Sequence, residues 1–367
     1  MKILFQSKTN LFKNPGGDTV QMIKTKEFLE RIGVDVDISL QYEPDLSNYD
    51  IVHLFNLMDP QDLIRQMKNA KKQKKPIVLS TIYGLYTDYE RNARGGLFQK
   101  LANLINPYQI EYIKTLVKCV SQRKFHSGMF YLFFNGYYNS VKKIVDNTTL
   151  FLPNSTSEMH RVALEYKLKD YTYFSIPNAI DQSVFNNAEK PKKFLEYQDC
   201  ILCAGRIEGR KSTLNLVKAV KGTKYKLVLV GNSSSNQKKY VEQVHEAAGD
   251  NVFFLGSIPH DDLKDLYQVA KVHVLASWME TPGLSSLEAA VMGCNIVATK
   301  KGDTYDYFED YAFYCEPDNV ESIKTAIDQA YHAPFNPQLK NKILSSYTWE
   351  KTAEETLKAY EKTLTMA

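Results

Sequence analysis

The feature that most limits the fold is an alternation of short apolar runs with stretches of helical period, carried along the whole chain and interrupted once. Strands alternating with helices specify βαβ units and parallel sheets, because a parallel neighbour is reached only through a long crossover. In the first half the strand candidates are Lys2 to Gln6, Val34 to Ser39, Asp50 to Phe55, Pro76 to Thr81, Leu150 to Pro153 and Tyr171 to Ile176. Between the first two, Val20, Ile23, Phe28 and Ile32 mark the expected apolar side of a helix that Gly33 ends. The interruption, PNAIDQSVFNNAEKPKKF, is rich in Pro, Asn and Lys and reads as a linker. The alternation then resumes at Cys200 to Ala204, Lys226 to Val230, Val252 to Leu255, Val272 to Ala276, Asn295 to Thr299 and Ala312 to Cys315. With 367 residues, more than one core usually serves, the expectation is an α/β protein of two doubly wound lobes facing a cleft. Their bounds are 1–176 and 199–347, with a linker at 177–198 and a closing helix at 348–367 that Thr348 caps and Glu350 enters.

Composition removes several classes of function. Hydrophobic residues at 44% and charged ones at 24% are globular values. Met1 to Phe5 run directly into an apolar strand, without the pattern of a signal peptide, so the chain is expected in the cytoplasm. No window approaches the roughly 18 uninterrupted apolar residues of a spanning helix. Five cysteines do not make a disulfide framework, and Cys200 and Cys203 lie in an apolar strand with no second pair to complete a zinc site; no metal is expected. The net charge of +4 is unevenly placed: eight Lys or Arg and one acid, Glu111, fall between Arg94 and Lys143, leaving 38 basic and 41 acidic residues elsewhere. A basic excess so local argues against a nucleic-acid partner.

Chemistry concentrates in Glu280 to Glu288, ETPGLSSLE. Glu280 leaves the carboxyl end of a strand, Pro282 and Gly283 turn the chain, and Leu284 to Met292 form a helix. Gly283 has no Cβ, so a ligand can approach the backbone N–H groups of the helix start, where the dipole suits a diphosphate. Glu280 and Glu288 can then hold hydroxyls of two parts of one ligand. The alternative is structural: Ser285 and Glu288 have the spacing of a capping box, and Gly283 that of a turn. Earlier in the same lobe, GRIEGRK follows a strand and offers Arg206 and Lys211 as fixed cations for a departing diphosphate, or as ordinary surface charges. In the first lobe NPGGD, Asn14 to Asp18, places Gly16 and Gly17 after the first strand, to close on phosphate or simply to turn. His53 and His273 lie in apolar strands, as core imidazoles do; His126 lies in the basic segment.

In combination these segments resemble the family 4 glycosyltransferases of GT-B fold, with two Rossmann-like lobes. The likeness rests on the early GG loop, NAID with Phe185, GRIEGRK, LVLVG, the Glu280 to Glu288 segment followed by AAVMGCNIVAT, and the closing YTWEKTAEETLKAY. It implies a retaining, metal-free transferase acting in cell-surface polysaccharide synthesis, with no cofactor beyond its substrate, a nucleotide diphosphate sugar, and with a glycan or lipid-linked acceptor. Arg206 and Lys211 would hold the diphosphate, Glu280 the donor sugar and Glu288 the ribose. Gly283, Leu284 and Ser285 would give backbone contacts. The chain departs from the family where a His often follows the fourth strand; STIYGLY has Tyr83 there, the candidate to meet donor sugar or acceptor. The competing readings are a sugar nucleotide epimerase or phosphorylase of the same architecture, and a non-catalytic partner subunit.

The segment SQRKFHSGMFYLFFNGYYNSVKK interleaves Arg123, Lys124, Lys142 and Lys143 with seven apolar and aromatic residues from Phe130 to Tyr138. It fits either a first-lobe core with a solvated rim or a surface that docks peripherally on the anionic inner face of a membrane.

Overall fold

The computed structural model describes residues 1–13, 15–123, 125–185, 189–233 and 237–366, the side chains at 97 and 98 excepted; Asn14, Lys124 and the linker residues 186–188 lie outside this set. Two compact units are present. Unit 1 comprises Met1–Leu85, Leu101–Asn178 and Trp349–Ala367, and unit 2 comprises Tyr86–Lys100 and Ala179–Thr348.

In unit 1, β1 (Lys2–Gln6) leads to α1 (Gly17–Arg31), β2 (Asp35–Ile38), β3 (Ile51–Phe55), α2 (Pro60–Lys72) and β4 (Ile77–Ser80). Two short helices follow, α3 (Thr87–Asn92), which belongs to unit 2, and α4 (Gly96–Ala102), before unit 1 continues with α5 (Pro107–Ser121), α6 (Ser127–Val145), β5 (Leu150–Phe151) and α7 (Thr156–Tyr166). The sheet runs β2-β1-β3-β4-β5 with every pairing parallel. Every residue of β3 and β4 is buried, as continuous apolar strands are when helices cover both faces. The strand expected at Tyr171 to Ile176 contracts to one bridge, Phe151 to Tyr173. Pro153 and Pro177 bracket this pairing and supply no N–H to extend it. In α1 the expected apolar side holds only at Phe28: Val20, Ile23 and Ile32 are exposed, whereas Met22, Thr25 and Leu29 are buried beside it. The closing helix, last in the chain, packs against α1, and Gln21 reaches Asn154 at 2.7 Å, so tertiary contacts choose the buried face.

Unit 2 contains β6 (Cys200–Ala204), α8 (Thr213–Val220), β7 (Leu227–Val230), α9 (Lys238–Ala247), β8 (Val252–Gly256), α10 (His260–Val269) and β9 (Ala270–Leu275). Then come α11 (Leu284–Met292), β10 (Asn295–Ala298), α12 (Thr304–Phe308), β11 (Phe313–Tyr314), α13 (Val320–His332) and α14 (Pro337–Ser346). Its parallel sheet runs β11-β10-β9-β6-β7-β8. The expected linker is part of this unit: Ile180 and Phe185 are in its core, and the Ile180 N–H donates to Tyr347 O at 3.0 Å. Tyr86–Lys100, which sequence placed in the first lobe, also packs here.

The closing helix α15 (Trp349–Met366) returns to unit 1, burying Trp349, Ala353, Ala359 and Tyr360. His53 accounts for part of its hold, with Nδ1 at 2.7 Å from Tyr360 Oη and Nε2 at 2.9 Å from Ser80 Oγ. Burial pushes this imidazole down to about 3, so it stays neutral. Cys200 and Cys203 are both buried on β6, where burial pushes each thiol up to about 12.

Candidate functional site

Strand order locates the site of unit 2. From β6 the chain proceeds outward to β7 and β8, then crosses to the other side of β6 for β9, β10 and β11. The direction reverses between β6 and β9, and in an open parallel sheet such a switch point leaves a crevice beyond the carboxyl ends of the two strands. The loops leaving β6 and β9 are GRIEGRK and the stretch from Ala276 to Gly283.

Two contacts join these loops, and a third joins α11 to the end of β6. Lys211 Nζ forms an ion pair with Glu280 Oε1, with the side chains only 19% and 11% exposed. The Trp278 N–H donates to Arg210 O at 2.9 Å, and Ser285 Oγ donates to Ala204 O at 2.9 Å. Glu280 is held by its backbone as well: its carbonyl accepts from the Asp303 N–H at 2.8 Å, and it forms a bridge with Gly302. A Cβ on Gly302 would lie 2.3 Å from Glu280 O, and its φ is +90°, so only glycine lets that strand approach.

Gly283, at φ +85°, is the N-cap of α11 and offers no side-chain cap. Its carbonyl accepts from Ser286 and Leu287, which sets the first turn of the helix. The chain therefore brings an uncapped helix start, a carboxylate and an ammonium to the sheet's switch point, an arrangement able to take an anion and hydroxyl groups together.

The capping-box alternative does not hold. Ser285 lies inside the helix and is spent on Ala204, and Glu288 turns elsewhere, accepting from Tyr267 Oη at 2.9 Å with His260 Nε2 at 3.3 Å. Burial, with the Glu288 carboxylate beside it, raises the Tyr267 hydroxyl far above its ordinary range and keeps it a donor. Arg206 is exposed on the loop after β6. His273 is buried beneath α11, Nδ1 at 3.3 Å from Ser286 Oγ, and burial together with Lys211 pushes it down to about 3.

The remaining candidates belong to unit 1. Gly16 caps α1 and Gly17 begins it, at the carboxyl side of β1 and next to that sheet's own reversal between β1 and β3. Beside them Lys8 and Asp18 pair at 2.5 Å, and Asn56 Nδ2 donates to Asp18 at 2.9 Å. Tyr83 must be reassigned. It is 1% exposed, with Oη bonded to Glu165 at 2.5 Å and Tyr166 at 2.8 Å, so its ring is unit 1 core and cannot meet a sugar. His126 caps α6 through Nδ1 and lies 3.4 Å from Asp62 through Nε2.

Residues 185–348 match the family described as glycosyl transferases group 1. The match lies within unit 2 and spans less than half of the chain. Among its relatives, the uncharacterized glycosyltransferase MJ1607 of Methanocaldococcus jannaschii is 28% identical over 174 residues, 44% of this chain and 44% of that protein. The O-antigen chain mannosyltransferase B of Escherichia coli is 24% identical over 178 residues, 46% of this chain and 47% of that one. The matches thus span less than half the length of these relatives. Among solved structures, Anabaena Alr3699/HepE in complex with UDP and glucose has a TM-score of 0.67 and 15% identity, covering 99% of this chain and 100% of its own. Two parallel-sheet α/β units of this kind are the GT-B fold.

Sequence reasoning missed residues that position the candidate site of unit 2. Arg210 donates to Glu208 at 2.6 Å and to Tyr86 Oη at 2.8 Å, tying the β6 loop to the segment before α3. It stood within GRIEGRK, and its neighbours there drew attention from it. Tyr267, His260 and Gly302 carried no local signal.

Proposed function

We propose that the chain is a retaining glycosyltransferase that moves a sugar from a nucleotide diphosphate sugar to a glycan or lipid-linked acceptor, without a metal. The Lys211–Glu280 pair beside the uncapped start of α11 carries this reading. A diphosphate at Lys211, Arg206 and the N–H groups of Gly283, Leu284 and Ser285 has its charge met by two cations and the helix dipole. By drawing the Lys211 ammonium toward itself, the diphosphate frees Glu280 oxygens for hydroxyls of the donor sugar. Glu288, fixed by Tyr267, is placed to hold the ribose.

Transfer breaks the bond between the anomeric carbon and the diphosphate oxygen, and the acceptor hydroxyl attacks the same face. Its proton passes to the leaving phosphate, and the growing negative charge falls where Arg206, Lys211 and α11 already point, so little reorganisation is needed. UDP and glucose in the Anabaena structure support a nucleotide sugar donor, and the named activity of the E. coli relative supports a polysaccharide product.

A thermal-shift screen across nucleoside diphosphates tests the donor. A cognate ligand at 100 times its Kd stabilises by about 2.7 kcal/mol. A silent screen would favour a non-catalytic partner subunit instead. Once a donor is found, EDTA should leave transfer unchanged and the product should keep the donor's anomeric configuration by NMR. Inversion or loss of activity with EDTA would refute those parts separately.

A further inference from the structure

Eight of the nineteen exposed large hydrophobic residues described lie between Leu101 and Phe134. Phe130, Phe133 and Phe134 form one stripe on α6, at the spacing of a helix face, and Phe134 is 79% exposed. Val117 and Val120 form another on α5. The two helices are neighbours: α5 packs on α6, Tyr112 Oη of α5 donates to Phe133 O at 3.0 Å, and within the α6 stripe the rings of Phe133 and Phe134 meet edge-on at 5.2 Å. The opposite side of α6 is already satisfied, because Met129, Leu132 and Tyr137 are buried and α6 packs on α2. The helix is thus apolar on two sides, one of them facing solvent, which folding of unit 1 does not require.

The border of this face is cationic. Lys68 of α2 stands 4.6 Å over the ring of Tyr131 on α6. Lys71 and Lys72 are exposed at the same end of α2, and Lys71 reaches Asn147 just beyond α6 at 2.7 Å. Arg123 and Lys143 are exposed as well. The acids nearby are engaged: Glu111 with Lys114, Asp59 with Lys118 and Asp146 with Lys142. The charge left over is positive.

We infer that the α5–α6 face of unit 1 docks on an anionic lipid surface, its phenylalanines entering the headgroup layer and its cations meeting lipid phosphates. A second copy of the chain fits this face less well, since twofold pairing would bring the same Lys-rich border against itself. No helix among the described residues is long and apolar enough to cross a bilayer, which makes the contact interfacial. None of the proposed donor residues is used, so this inference and the transferase reading fail independently.

The test is sedimentation of the full chain with vesicles of equimolar phosphatidylcholine and phosphatidylglycerol, against phosphatidylcholine alone, at low and physiological salt. Binding is expected with the anionic vesicles only and should weaken with salt. The triple variant Phe130→Ser, Phe133→Ser, Phe134→Ser should lose about tenfold or more in partitioning. Lys68→Glu with Lys72→Glu should lose a similar factor, since each cation near the surface contributes about fivefold. All variants should melt like the parent, because every changed residue is exposed. Equal recovery with neutral lipid, no binding at all, or a triple variant that binds like the parent overturns the inference. So does a dimer in sedimentation velocity that the triple variant abolishes, which would give the face to a second copy.

Discussion

Replacing Lys211 by alanine separates two jobs that the structure gives one ammonium. In the unliganded chain Lys211 neutralises Glu280, and both side chains are largely withdrawn from water at 19% and 11% exposure. Removing one partner of a buried pair costs about 3–5 kcal/mol because the other charge is stranded. Since water still reaches this edge of the site, a cost of about 2–3 kcal/mol is expected, or roughly 4–12 °C in melting for a domain of this size. In the liganded chain the same ammonium meets the diphosphate, and losing that charge-assisted contact costs about 1.5–3 kcal/mol, roughly 10- to 150-fold in Kd. Glu280→Gln separates the jobs. It should melt below the parent, because the same pair is broken and Lys211 loses its carboxylate, yet bind nucleoside diphosphate at least as tightly and lose most transfer. The double variant Lys211→Ala, Glu280→Gln should regain stability over Lys211→Ala while remaining weak for the diphosphate. Calorimetry and melting on the four proteins complete the cycle. Unchanged diphosphate affinity in Lys211→Ala would remove Lys211 from the donor site whatever its melting temperature.

Glu288→Gln should keep an acceptor for Tyr267 and melt within about 1 kcal/mol of the parent, while nucleotide affinity falls; the opposite pattern, in paired calorimetry and melting, would make Glu288 structural. Gly302→Ala should impair transfer and lower melting, since its Cβ would stand 2.3 Å from Glu280 O at a φ of +90°; a variant with parental melting and turnover would show that this strand is not fixed. Stability should depend on pH through His53, whose folded value is about 3 against 6.5 for the unfolded chain. Its contribution is complete above pH 6.5 and is lost as pH falls toward about 3, by up to about 1.4 kcal/mol per pH unit, because only the unfolded chain takes the proton. Denaturant titrations of the parent and His53→Gln between those pH values should show a shallower slope in the variant, and equal slopes would refute the argument.

The sequence alone determined the parallel α/β alternation and the two loops that build the candidate site of unit 2. Those features are local: a strand's apolar run, the turn at Pro282 and Gly283, and cations a few residues beyond β6 are set by neighbours in the chain. Sequence even ordered Glu280, Gly283 and Glu288 correctly along the loop after a strand, a turn and a helix. What only the tertiary structure decided depends on partners distant in the chain. Ser285 and Glu288 had the spacing of a capping box, but Ala204 and Tyr267 claim them from 81 and 21 residues away. Tyr83 followed a strand like a site residue, and Glu165 and Tyr166 of α7 enclose it. The exposed Val20 and buried Thr25 of α1 were settled by α15, and the segment before Lys100 joined unit 2 through contacts such as Tyr86 with Arg210. The phenylalanines of α6 show the same limit. Periodicity tells which residues share a helix face, but two apolar faces look alike in sequence, and only the arrival of α2 against one of them left Phe130, Phe133 and Phe134 facing water.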